Sequence, residues 1–219
     1  MDERLRHAWT KLIKSEDLDA HMAAVGQAQA NAELVAELFE SHPPSPGASI
    51  LFVGAGTGQL LDYVSPAVLR PFRTTFADIN LEFLARLRSR IGSERELKFD
   101  TVLDDVENSQ LCSGYALVVA ILVLEHVDWR KVVATLCRLS SERVFVVLQE
   151  NPAGLASALT MDRPIVGSMS VFQAVHPHLL SQSDVAHEFR EHGFALVRSS
   201  SRDVLDSKKM IALEFEKRP

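Results

Sequence analysis

The stretch Gly54-Ala55-Gly56-Thr57-Gly58 follows an apolar run, Ile50-Leu51-Phe52-Val53, and is the first place where the residue types suggest chemistry. Closely spaced glycines permit positive φ and let a ligand approach the backbone. At the C-terminal edge of a buried strand, such a turn makes a floor for a nucleotide-like ligand. Asp78 stands 20 positions after Gly58, at the end of the next strand-like run. A carboxylate there can accept both hydroxyls of a ribose. Each feature alone is weak, because tight turns need glycine and aspartates often open helices. Together they point to a nucleotide-like ligand held between a glycine turn and a carboxylate.

Two absences narrow the ligand. Gln59 occupies the place of the third glycine in a dinucleotide fingerprint, and the chain has no G-x-x-x-x-G-K-[ST] phosphate loop. Both weigh against NAD and against ATP hydrolysis.

The elements that must position these residues can be read from periodicity. Leu5, Ala8, Trp9, Leu12 and Ile13, then Leu34, Val35, Leu38 and Phe39, recur at helical spacing and predict one to three N-terminal helices. His42-Pro43-Pro44-Ser45-Pro46-Gly47 ends them as a linker. Strands are expected at 49–53, 73–77, 97–103, 115–124 and 144–148. Between the first two strands, Leu60, Leu61 and Val64 suggest a short helix. Asn80 caps a helix carrying Phe83, Leu84, Leu87 and Ile91, and Asp128 one carrying Val132, Val133 and Leu136. This alternation predicts a parallel sheet with helices on both faces. Near the C-terminus, Ser181 and Asp184 form a capping box before Val185 and Phe189. Phe194–Arg198 and Met210–Phe215 then read as an antiparallel pair, because the polar loop that joins them is short and has no helical pattern.

In order along the chain, these motifs resemble the class I S-adenosylmethionine-dependent methyltransferases. The resemblance covers residues 48–150 by motif and the remainder by topology. It implies an α/β, Rossmann-like, doubly wound seven-stranded sheet. That sheet is mostly parallel, with one antiparallel C-terminal strand, helices on both faces and an N-terminal helical cap. Val53 to Gly58 is similar to the family's first motif, which implies that Gly54, Ala55, Gly56, Thr57 and Gly58 meet the methionine part of the cofactor. Phe76-Ala77-Asp78-Ile79-Asn80 is similar to the second, placing Asp78 on the ribose and Ile79 against adenine. Leu103-Asp104-Asp105-Val106-Glu107-Asn108 resembles the third, with Asp105, or alternatively Asp104, meeting the adenine amino group beside Val106. Tyr115 to Val127 resembles the fourth strand and its loop, with Ala120 at the cofactor edge. The chain departs from the family at Ala116, where aspartate is frequent. It also lacks the Asn/Asp-Pro-Pro-Tyr/Phe motif of enzymes that methylate amino groups of DNA bases or glutamine. The implied cofactor is S-adenosylmethionine, with S-adenosylhomocysteine as product.

Methyl transfer needs alignment more than a dedicated catalytic group, so no catalytic residue is assigned. His126 reads as a helix-entry histidine in a structural hydrogen bond. His176 and His178 lack a third ligand at metal spacing and read as solvated loop residues, so no metal site is expected. Glu150, at a strand end, reads equally as a ligand contact or a cap. Trp9, Met161, Met169 and Phe172 are candidates for an apolar acceptor pocket, with core packing as the default.

Composition bounds the acceptor. The 219 residues include 23 Lys and Arg against 29 Asp and Glu, a net charge of −6, which disfavours nucleic acid and anionic membranes. Cys112 and Cys137 cannot build a disulfide framework, and the charged N-terminus has no apolar signal core; a cytoplasmic protein is the expectation. A single domain is expected: a cap at 1–42, a cofactor core at 48–150, an acceptor-site insertion at 151–180, and a closing helix and strand pair at 181–219. The expected function is transfer of a methyl group to a small molecule. The alternatives are an NAD-dependent oxidoreductase and a non-catalytic S-adenosylmethionine binder.

Overall fold

The computed structural model describes residues 2–92, 97–152 and 167–218. Seven strands, β1 (Ser49–Val53), β2 (Arg73–Asp78), β3 (Phe99–Leu103), β4 (Tyr115–Ile121), β5 (Ser140–Glu150), β6 (Phe194–Asp203) and β7 (Lys209–Lys217), form one sheet. Their order is β3-β2-β1-β4-β5-β7-β6. The pairings among β1 to β5 are parallel, and β7 runs antiparallel to both β5 and β6. This is the expected Rossmann-like arrangement with one reversed strand. β4 lies between β1 and β5, and Ala116 to Ala120 are buried, as an apolar central strand covered on both faces must be.

The helices are α1 (Glu3–His7), α2 (Ser15–Ala24), α3 (Gln27–Ser41), α4 (Leu81–Ile91), α5 (Trp129–Leu139) and α6 (Gln182–Glu191). The foreseen caps form: Asn80 Oδ1 accepts from Glu82 N–H at 2.9 Å, and Ser181 Oγ accepts from Asp184 N–H at 3.1 Å. Val132, Val133, Leu136, Val185 and Phe189 pack on one sheet face. Leu34, Val35, Leu38, Leu87 and Ile91 pack on the other. A third apolar cluster joins the N-terminal segment to the core through Leu5, Ala8, Ile13, Leu18, Phe83, Met169 and Phe172.

Two elements differ from their expected form. After the glycine turn the chain makes only single 3-10 turns, Gln59–Asp62 and Pro66–Leu69. Pro66 lacks the N–H that a longer helix needs. At the other end of the chain, the polar segment taken for a loop extends both β6 and β7. β6 is an edge strand with solvent-facing serines, and its arginines reach α3: Arg202 Nη2 lies 2.8 Å from Glu37 Oε2, and Arg198 also pairs with Glu37. Backbone pairing and ion pairs hold a strand that carries little apolar signal. Among the described residues, no helix is long and apolar enough to cross a membrane, and no cluster of three His, Cys, Asp or Glu residues is arranged to hold a metal.

Candidate active site

A cavity of about 220 Å³ opens at the C-terminal edge of the sheet. The strand order reverses there between β1 and β4, the place where open α/β sheets gather ligands. Its floor is the glycine turn. Gly54 has φ +60°, and an added Cβ would lie 2.5 Å from Val123 Cγ2. Glycine is therefore required twice over, by conformation and by the approach of the β4 loop. That loop is itself strained: Leu122, a cavity residue, has φ +54°, while its N–H donates to Val147 O at 2.9 Å. A bulky residue in the left-handed region costs free energy, and such strain recurs at ligand sites.

Asp78 is buried at the end of β2. One carboxylate oxygen accepts from Gly56 N–H and the other from Asn80 N–H, both at 2.8 Å. Burial pushes its pKa up to about 6, against the pull of these backbone donors. Gly54, Ala55, Gly56, Gly58, Asp78, Ile79, Asp105 and Val106 all line the cavity, as does Asp104. Thr57 and Ala120 do not. Thr57 Oγ1 bonds to Asp19 and Gln59, so the threonine ties the turn to α2. Ala120 sits within the sheet between Val53 and Val146, while its neighbours Val119 and Ile121 line the cavity.

The two aspartates after β3 are engaged differently. Asp105 Oδ2 accepts from Arg6 at 2.6 Å and from Asn108 at 2.8 Å, and Oδ1 caps the turn at Glu107 N–H. Partial burial works to raise its pKa, but Arg6 and Asn108 outweigh it and hold the pKa below the ordinary value. Asp104 Oδ1 accepts from Gln110 N–H at 3.1 Å.

The N-terminal cap roofs the cavity through contacts that periodicity could not reveal. Asp19 pairs with Arg90 at 2.9 Å, Asn80 Nδ2 donates to Trp9 O at 2.8 Å, and Asp17 accepts from Ser168 N–H at 2.7 Å. Trp9, Leu18, Met22, Phe83, Met169 and Phe172 give the wall an apolar stretch beneath the cap. Trp9, Met169 and Phe172 were candidates from the sequence; Met161 lies outside the described residues. Glu150 bonds to Gln182 at 2.9 Å and is absent from the wall. His178 is exposed at the cavity mouth, and its N–H donates to Glu125 O at 2.7 Å.

His126 departs from its expected role. Its ring packs on Trp9 (centroids 4.9 Å apart) and on Phe172 (5.6 Å), and Nδ1 has no hydrogen-bond partner among the described residues. Burial, followed by the nearby His178, pushes its pKa down to about 3. A depressed histidine leaves the unfolded chain to take up the proton first. Stability is therefore complete above the ordinary value of 6.5 and falls as the pH drops toward 3. His126→Phe keeps a ring and removes this titration. In urea titrations, the wild type should lose about 2 kcal/mol more than the variant between pH 7 and pH 5. Equal losses would mean that His126 is not held neutral.

Glu125, beside it, was not singled out from the sequence. Oε1 accepts from Gln149 N–H at 2.8 Å, which bridges the ends of β4 and β5. Oε2 is buried without a partner among the described residues, as are Trp9 Nε1 and Asn31 Oδ1. All of these residues line the cavity. An unpaired carboxylate in an apolar strand-to-helix loop was the only signal in the sequence.

Comparisons with known proteins agree with this geometry. A family profile described as a methyltransferase domain matches residues 20–199. A search of curated protein sequences returned no significant match. The fold is similar to that of a magnesium protoporphyrin IX methyltransferase from Synechocystis solved with S-adenosylhomocysteine (SAH). The TM-score is 0.69 at 15% identity, over 98% of this chain and 93% of that one. A geranyl diphosphate C-methyltransferase from Streptomyces coelicolor is similar at TM-score 0.65 and 10% identity, over 85% and 78%. The [4+2]-cyclase SpnF is similar at 0.65 and 12%, over 85% and 80%.

Proposed function

The chain belongs to the methyltransferase-domain family, the class I S-adenosylmethionine-dependent enzymes, and on that footing we propose that its methyl acceptor is a small molecule bound beneath the N-terminal cap. The observation that carries this proposal is the make-up of the cavity wall. Asp78, Asp104, Asp105 and Glu125 line it, and no Lys or Arg does among the described residues. An acidic wall suits a ligand with a sulfonium and an ammonium group and repels a pyrophosphate. Nor does the glycine turn lead into a true helix, whose N-terminus a dinucleotide would use; the turn that follows has four residues. These features favour S-adenosylmethionine over NAD. The roof over the far end is aromatic and apolar, the kind of lining that desolvates a small molecule. A nucleic-acid acceptor would call for basic groups instead.

In this assignment Gly54, Ala55, Gly56 and Gly58 hold the methionyl part, and Thr57 holds their turn in place through Asp19. Asp78 accepts the ribose hydroxyls, Ile79 and Val106 flank the adenine, Asp105 meets its amino group, and Ala120 supports the site from the sheet behind. When bound, the cofactor supplies an electrophilic methyl group. The chain aligns the acceptor and keeps water out. The cap at 1–42 and the insertion at 151–180 choose the acceptor, the latter through Met169 and Phe172.

Losing a hydrogen bond to a charged acceptor costs about 1.5–3 kcal/mol. Asp105→Asn should therefore weaken SAH binding by about tenfold. Asp104→Asn should change it by less than about threefold, since its carboxylate is not assigned to the adenine. The reverse order in calorimetric titrations would transfer the adenine contact to Asp104. For the acceptor, the protein is incubated with tritiated S-adenosylmethionine and a cell extract. Label is expected in the low-mass fraction; label confined to protein or RNA would contradict a small-molecule acceptor.

A further inference from the structure

The unpaired polar atoms at the aromatic end of the cavity define a chemical class. Protein interiors seldom leave buried donors and acceptors without partners, and those that remain need an explanation. Here an acceptor, Glu125 Oε2, and a donor, Trp9 Nε1–H, are both sealed from solvent in the same wall and lack partners among the described residues. Glu125 is buried, and its other oxygen is held at 2.8 Å by Gln149 N–H, so the unpaired oxygen has a fixed direction. Leu18, Met22, Phe83, Met169 and Phe172 complete the apolar lining of this end. The His126 ring, held uncharged by burial and with Nδ1 also unpartnered among the described residues, packs on Trp9 and Phe172, and no Lys or Arg among the described residues lines this end.

We propose that this end of the cavity takes an uncharged acceptor bearing a hydroxyl group, whose O–H donates to Glu125 Oε2 and whose oxygen accepts from Trp9 Nε1–H. The proposal rests on the methyltransferase assignment and deepens it. A hydroxyl is both donor and acceptor, so it satisfies both orphaned atoms. A carboxylate or phosphate acceptor would leave Glu125 facing a like charge in an apolar wall. An ammonium would leave the Trp9 N–H unmatched.

The pairing also gives the proton a destination. A lone pair of the hydroxyl oxygen forms the new O–C bond. The S–C bond of the sulfonium breaks and its electron pair stays on sulfur as a neutral thioether. The hydroxyl proton passes to Glu125, which turns from carboxylate to carboxylic acid. Burial supports this exchange by raising the Glu125 pKa to about 7.

The test uses the full chain saturated with SAH and four aromatic probes of similar size: 4-methylphenol, 4-methylanisole, benzoate and benzylamine. Titration calorimetry should show that 4-methylphenol binds at least about tenfold more tightly than each of the others. Glu125→Gln keeps an oxygen for the Gln149 N–H and presents an amide donor at the orphaned position. In that variant 4-methylanisole should gain on 4-methylphenol until the preference disappears or reverses. Trp9→Phe should narrow the preference while keeping the ring. Tighter binding of benzoate or benzylamine, an unchanged preference in Glu125→Gln, or no binding of 4-methylphenol to the wild type overturns the proposal. If SAH itself fails to bind the wild type, the cofactor assignment falls first, so the two failures are distinguishable.

Discussion

Asp78→Asn is expected to lower affinity for SAH by about 100-fold while making the ligand-free protein more stable at pH 8. The first effect follows from replacing a carboxylate that accepts two ribose hydroxyls with an amide that accepts fewer; charged hydrogen bonds are worth about 1.5–3 kcal/mol each. The second follows from burial. The folded Asp78 pKa is about 6, above the ordinary 3.8, so the folded state binds this proton more tightly than the unfolded chain does. Stability contributed by the protonated form is present below 3.8 and is lost as the pH rises to about 6. At pH 8 the charged carboxylate costs roughly 3 kcal/mol, which the asparagine avoids. Its amide leaves one of the two donors, Gly56 N–H or Asn80 N–H, without an acceptor. The net gain should therefore be about 1–2 kcal/mol in urea titration at pH 8, vanishing by pH 4. An unchanged affinity would remove Asp78 from the ribose, and a variant less stable at pH 8 would show that the carboxylate is not strained by burial.

Gly54→Ala is expected to abolish cofactor binding and to destabilise the fold. At φ +60° an alanine costs about 1–2 kcal/mol in backbone conformation alone. Its Cβ would also meet Val123 Cγ2 at 2.5 Å, against a loop already holding Leu122 at positive φ. Overpacking of this kind adds about 1–3 kcal/mol. The expected loss is about 2–5 kcal/mol in urea titration, with SAH affinity reduced at least about 100-fold. The double variant Gly54→Ala/Val123→Ala should recover part of the stability, because it removes the clash and leaves the backbone strain. No recovery would place the whole effect in the backbone.

Much of the framework was legible in local sequence. The glycine turn, Asp78 at a strand end, the Asn80, Asp128 and Ser181 caps and the apolar β4 each carry their signal within a few residues, because turn, cap and strand chemistry are local. The edge hairpin was legible only in part. Its serines and arginines read as a loop because β6 is held by backbone pairing and by Arg198 and Arg202 reaching Glu33 and Glu37 on α3. Ala120 was placed at the cofactor edge by motif register, while β4 runs on to Ile121 and buries it. The polar end of the cavity was the least legible part. Glu125 with Gln149, Arg6 with Asp105 and Asp19 with Thr57 join residues that lie far apart in the chain, and no spacing rule encodes them.

The central claim, that the acidic cavity at the β1/β4 switch point is an S-adenosylmethionine site, is tested most directly by titration calorimetry of the full chain with SAH and, in parallel, with NAD. One SAH per chain, with no measurable heat from NAD and with binding weakened in Asp78→Asn, is the expected result. Saturable binding of NAD with none of SAH would contradict it.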